Sequence, residues 1–142
     1  MKSAASLLSV FFLLTLWPQT AVTQSQQKAE ELAQKSAESW LALTDSGKYA
    51  ESWDQASAAF KAAVSRAKWI DQLTSVRSPL GKVVSRKLTA AEYKNSPPNA
   101  PAGEYVIIQY ATSFENRNDS VETVSLMLDK DDQWRAAGYF IK

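Results

Sequence analysis

The stretch Glu104-Tyr105-Val106-Ile107-Ile108-Gln109-Tyr110-Ala111-Thr112-Ser113-Phe114 decides the fold class. Successive side chains of an extended chain point to opposite sides, so Val106, Ile108, Tyr110 and Phe114 fall on one face. The same period continues downstream. Val121–Leu128 puts Val124, Leu126 and Leu128 on one face, and Gln133–Ile141 alternates around Trp134, Ala136, Gly138 and Phe140. The short polar segments Glu115–Ser120 and Asp129–Asp132 between these runs predict a meander of hairpins. Upstream, Lys82–Tyr93 alternates unevenly and carries Lys82, Arg86 and Lys87, charges typical of an edge strand. The intervening segment Asn95–Gly103, with Pro97, Pro98, Pro101 and Gly103, reads as a loop.

Before residue 82 the period is helical. Residues 27–45 place Ala29, Leu32, Ala33, Ala37, Trp40 and Leu43 at helical spacing, and Gly47 supplies a left-handed residue to end the run. A second helix is expected from Lys48 to Ala63 on the stripe Tyr49, Trp53, Ala56 and Phe60. Ser65 then reads as the N-cap of a third, with Trp69, Ile70, Leu73 and Val76 on one face and Pro79 and Gly81 as its stop. Three helices followed by four antiparallel strands is an α+β order.

The first 23 residues differ from the rest. Lys2 precedes the apolar run Ala4–Trp17, Pro18 breaks it, and Ala21-Val22-Thr23 offers a cleavage point, so residues 1–23 read as a signal peptide. The run is too short for a transmembrane span. The expectation is an exported protein, periplasmic or secreted, with residues 24–142 as its single domain and no stable membrane anchor. The chain has no cysteine and no histidine among its 142 residues. A Ser-His-Asp arrangement is therefore impossible, and metal binding would depend on carboxylates alone. Of 16 basic and 15 acidic side chains, Lys2 lies in the signal, leaving 15 of each. That balance makes no electrostatic case for nucleic acid. No cofactor is implied.

Several residues bear on chemistry. Glu122 shares strand parity with Val124, Leu126 and Leu128, so its carboxylate faces the apolar side. There it would serve as a general base or acid; at the start of its strand it would instead reach solvent or pair with Arg86 or Arg135. Tyr110 and Tyr139 are the candidate hydrogen-bond donors beside it. Trp53, Tyr110, Glu122 and Trp134 are the candidate ligand-binding residues, although the tryptophans also sit where core packing would place them. Asp129, Asp131 and Asp132 begin like a calcium loop but lack its glycine and distal glutamate, so a polar turn accounts for them.

Together, Trp40-Leu41-Ala42-Leu43, Gly47-Lys48-Tyr49, Ser52-Trp53, Trp69 and Arg77-Ser78-Pro79-Leu80-Gly81 resemble an exported bacterial family, domain of unknown function (DUF) 4019. Gly103-Glu104-Tyr105-Val106, Glu122-Thr123-Val124, Trp134-Arg135 and Gly138-Tyr139-Phe140-Ile141 carry the resemblance through the mature chain. It implies a cone-shaped α+β fold, cystatin or nuclear transport factor two-like, with three N-terminal helices on a curved four-stranded antiparallel sheet. That superfamily includes isomerases, dehydratases, binding domains and oligomerisation modules. Many of its enzymes use a pocket histidine with an aspartate, which this chain lacks. The expected function is a binding or interaction module holding a small apolar molecule in the cone, or another protein. A homodimer is expected through the outer sheet face of Tyr105, Ile107, Gln109, Ala111 and Ser113. The alternatives are an isomerase- or dehydratase-like enzyme with Glu122 as base and a purely structural oligomerisation domain.

Overall fold

The computed structural model describes residues 19–142, with side chains from Thr23 onward. The segment read as an export signal therefore lies outside the described residues, except for 19–23. The elements run α1 (Gln19–Asp45), α2 (Tyr49–Asp54), α3 (Ala58–Ala63), α4 (Arg66–Arg77), a 3-10 turn (Ser78–Leu80), β1 (Val83–Asn95), β2 (Glu104–Phe114), β3 (Arg117–Leu128) and β4 (Trp134–Ile141). The four strands form one open antiparallel sheet in the order β1-β2-β3-β4. The fold is α+β, helices first.

α1 begins at Gln19, ahead of the expected start at 27. Residues 23–28 are exposed apart from a half-buried Gln26, and they carry no apolar period. It ends as expected: Gly47 has φ +72, Gly47 N donates to Thr44 O at 3.1 Å and Lys48 N to Leu43 O at 2.9 Å. These two bonds are the Schellman pair. α1 touches all four strands, burying Ala33, Ala37, Trp40 and Leu41 against Val106, Ile108, Val124 and Leu126. Each large apolar side chain so buried contributes about 1.5–3 kcal/mol relative to exposure.

The single helix expected over 48–63 is two. Ser57 breaks it: its N–H donates to Ala136 O on β4 at 2.8 Å, and its hydroxyl accepts from Phe60 N at 3.2 Å. A tertiary hydrogen bond and a fresh N-cap outweigh continuation of the helix. The described residues accordingly form four α-helices rather than three. In the third helical stretch Ser65 caps as expected, accepting from Lys68 N.

β3 starts at Arg117 rather than 121, because Glu115-Asn116 makes a tight turn with Phe114 opposite Arg117. β4 contains the correction that matters most for the site. Leu126 lies opposite Ala136 but Ser125 opposite Gly138, so Ala137 is an extra residue. This bulge flips the strand's parity. Trp134 and Ala136 face the helices as expected, but Phe140 is 61% exposed, and Tyr139 packs on the core instead.

Among the described residues no helix is long and apolar enough to cross a membrane.

Candidate functional site

Three elements that end near one another assemble a buried polar cluster. α1 delivers Asp45 at its last residue, α4 delivers Arg77 at its last, and the sheet contributes Arg86, Thr112, Glu122 and Tyr139. Arg77 sits well at a helix C-terminus, whose carbonyl end is negative. Asp45 does not, and the two arginines offset that cost.

Glu122 is the centre and is fully buried. Its Oε2 accepts from Arg86 Nε at 2.6 Å and from Thr112 Oγ1 at 2.7 Å. Its Oε1 accepts from Arg86 Nη2 at 3.1 Å and, in a short bond, from the Tyr139 hydroxyl. Arg77 Nη1 approaches the same Oε1 at 3.8 Å and donates to the Tyr139 oxygen at 3.1 Å. Asp45 closes the ring, accepting from Arg77 Nη2 at 3.0 Å and from Arg86 Nη1 and Nη2 at 2.7 and 3.0 Å. Two carboxylates thus meet two guanidiniums, and the cluster is neutral. The Arg77 guanidinium also lies 5.0 Å from the Phe114 ring centroid, within cation–π range.

The electrostatics follow from burial and these partners. Desolvation raises the Asp45 pKa, but the arginines, Arg86 foremost, outweigh it and hold it below the usual carboxylate value. Burial and then the Glu122 charge push the Tyr139 phenol far above its ordinary range, so it remains a donor. Chemically, the arrangement holds charge rather than offering it. A carboxylate has about four lone-pair positions, and Glu122 has four donors. No lone pair remains to take a proton from a substrate.

Of the candidates, Glu122 and Tyr139 come together. Tyr110 does not join them: it lies opposite Glu122 in register, yet its buried hydroxyl has no partner among the described residues. Burial, and then the charge of Glu38, raise the Tyr110 phenol to about 12. Trp53 and Trp134 do not converge on Glu122. Trp53 Nε1 donates to Val64 O at 2.7 Å, and Trp134, 9% exposed, belongs to the core. Arg86, not Arg135, pairs with Glu122; Arg135 instead binds Asp129 and Asp131 across the last turn. Those aspartates act as partners of an arginine there, and no group of three or more metal-ligating side chains occurs among the described residues.

Arg77, Asp45 and Thr112 are site residues that no sequence motif marks as such. Arg77 carried a usable signal, since Trp69, Leu73 and Arg77 recur at intervals of four and all three are buried. A charge on an apolar stripe needs a buried partner. Ser52 is unmarked as well. It is buried between tryptophans, its carbonyl accepting Trp40 Nε1 at 2.8 Å and its hydroxyl Trp69 Nε1 at 3.0 Å.

Among the described residues, four surface cavities stand out, and Glu122 lines none of them. One of about 520 Å³ lies between α4 and the end of β4, walled by Trp69, Leu73, Val76, Tyr139, Phe140 and Ile141 with Asp71, Gln72 and Ser75 at its polar side. Another, of about 530 Å³, includes Trp134 and Trp40 with Lys35, Asp54 and Arg135. A third, of about 480 Å³, is formed by α3, the proline loop after β1, and Tyr105, Ile107, Ser125 and Ala137 of the sheet. The fourth, of about 420 Å³, lies around Met127, Leu128 and the Asp129–Asp131 turn.

Neither a curated protein nor a solved structure matches the chain. A family model does, over residues 36–139, a span that takes in Asp45, Arg77, Arg86, Glu122 and Tyr139. On that match the chain belongs to the family described as Protein of unknown function (DUF4019).

Proposed function

We propose that this protein is an exported, non-catalytic binding module whose ligand site is the groove between α4 and β4. The observation that carries this reading is the contrast between Glu122, saturated by four donors, and the groove, where Val76 and Phe140 stand 47% and 61% exposed. Exposed large apolar side chains lining one concavity are the usual mark of a ligand site. The enzyme alternative rests on Glu122 as base and has no free lone pair to work with. The space under the sheet is occupied by Trp40, Trp69, Ile108 and Leu126, which favours the groove over a cone interior as the ligand site. Helices on one face of an open meander also support kinship with the nuclear transport factor two-like proteins, which is part of the proposal.

The test uses a fluorescent apolar dye of the anilinonaphthalene class together with native mass spectrometry of the full-length protein. Val76→Glu and Phe140→Ser are each expected to weaken dye binding about tenfold, equivalent to about 1.4 kcal/mol, with the unfolding midpoint unchanged. Dye binding that survives both substitutions removes the groove from consideration. A small molecule released only on denaturation identifies the ligand class.

A further inference from the structure

We infer that the α4–β4 groove takes an extended peptide as a fifth strand, one with apolar residues at alternate positions and a lysine or arginine. This rests on the groove being the binding site.

The backbone at the groove carries the argument. Val121 and Lys142 exchange both backbone hydrogen bonds, each at 2.9 Å. In an antiparallel pair such doubly bonded positions alternate with positions whose N–H and C=O turn away from the neighbouring strand. Thr123–Phe140 is therefore bonded inward, while Tyr139 and Ile141 aim their N–H and C=O groups at the groove. Further up the same edge Ala136 O is already taken by Ser57 N. At Tyr139 and Ile141 no backbone or side-chain partner approaches from the outer side among the described residues. The edge is capped at one end and open for the length of a short strand.

The two edges of the sheet are treated differently. β1 breaks its register twice, between Val83 and Ser85 and between Leu88 and Ala90, and carries Lys82, Arg86 and Lys87 on or beside it. Bulges and lysines are the usual guards against strand addition. β4 carries one charge, Arg135 at its start, which is tied to Asp129 and Asp131, and from Ala136 to Ile141 it has none. Beside it α4 supplies an apolar wall from Trp69, Leu73 and Val76, into which alternate side chains of an added strand would point. Strand addition satisfies the backbone and the wall at once. A compact apolar molecule satisfies only the wall.

Charge selects the sequence. Asp71 is the one acidic or basic residue among the groove residues, and it has no ion pair or hydrogen bond through its carboxylate among the described residues. A basic residue on the incoming strand would meet it.

The experiment selects random hexapeptides displayed on phage against the full-length protein, then follows synthetic copies by amide hydrogen exchange. The expected peptides alternate aliphatic residues with one lysine or arginine, and their binding slows exchange at the Tyr139 and Ile141 amides at least tenfold. N-methylation of one edge-facing peptide nitrogen is expected to weaken binding at least tenfold. Asp71→Lys, at an exposed helix position, should abolish the preference for a basic residue while stability holds. If the dye binds but no selected peptide protects those two amides, strand addition fails and the groove remains a small-molecule site. If neither dye nor peptide binds, both readings fail. Protection of the same amides by self-association, rising with protein concentration in sedimentation, would assign the edge to a second copy and overturn the peptide proposal.

Discussion

Arg86 and Glu122 form a bonded pair across an intervening strand. Arg86 lies on edge strand β1 and Glu122 on β3, with β2 between them, yet Nε and Oε2 are 2.6 Å apart. The guanidinium passes over Thr112, its own register partner on β2, whose hydroxyl donates to the same carboxylate oxygen. One side chain thereby ties three strands together. Through Asp45 it also ties the sheet to the end of α1.

Breaking that pair is expected to be costly. Glu122→Gln leaves two buried guanidiniums facing a single carboxylate, so we expect a loss of about 3 kcal/mol. A double-mutant cycle with Arg86→Gln should return a coupling of about 1–3 kcal/mol. Urea denaturation of the three variants measures both. The same Glu122→Gln variant should bind the groove dye as the parent does. A loss of some activity with stability unchanged would instead restore Glu122 as a catalytic group.

The cluster also sets the pH profile. Asp45 has a folded pKa below its ordinary 3.8, so it binds protons less readily folded than unfolded. Its contribution is present above about pH 4 and is lost as pH falls through the folded value. Tyr110, raised to about 12, and Tyr139, raised further, lie on the opposite side. Their contribution is complete below about pH 10, where the unfolded phenol begins to ionise, and is lost as pH rises. Denaturation midpoints should therefore fall at both ends. Asp45→Asn should flatten the acid limb and Tyr139→Phe the alkaline one. Limbs unchanged in these variants would mean that other groups govern the profile.

Gly81 joins the 3-10 turn to β1 with φ +75. A Cβ there would come within 2.7 Å of Glu115 Oε2 and 3.0 Å of Glu115 Cβ. Glu115 cannot simply retreat, because the same Oε2 accepts the Lys82 N–H at 2.8 Å. Gly81→Ala should cost at least about 1 kcal/mol from the left-handed backbone alone. A thermal midpoint equal to the parent's would show that the turn has an alternative conformation.

Ser57→Ala removes the hydroxyl that caps α3 while leaving its N–H on Ala136 O. The expected loss is about 1 kcal/mol. Ser57→Gly, which caps almost as well, should recover most of it. Equal losses for both would assign the effect to packing at this fully buried position rather than to capping.

The parts of this molecule legible in advance are those where one face is apolar over a long run. In Glu104–Phe114, Val106, Ile108, Tyr110 and Phe114 all face the helices as the period of two requires. On α1, Ala33, Ala37 and Trp40 do so at helical spacing. Glu122 was legible only in part: parity pointed its carboxylate inward, but its place at the start of the strand left solvent open, and only the fold buries it. The misreadings occurred where one residue changes the count. Ala137 is an alanine in an unremarkable strand, and only its pairing opposite β3 makes it an extra residue that exchanges Tyr139 for Phe140. Ser57 likewise suits a helix interior poorly but does not forbid it, and its bond to Ala136 spans most of the chain.

Local pattern, then, determined the α+β class and the strand order, because propensity, periodicity and turn chemistry act between near neighbours. Tertiary structure alone decided which arginine answers Glu122, which tyrosine joins it and which sheet edge stays open. A buried charge takes whichever partner the folded chain brings within hydrogen-bond distance. That distance depends on bulges, twists and helix ends far apart in sequence.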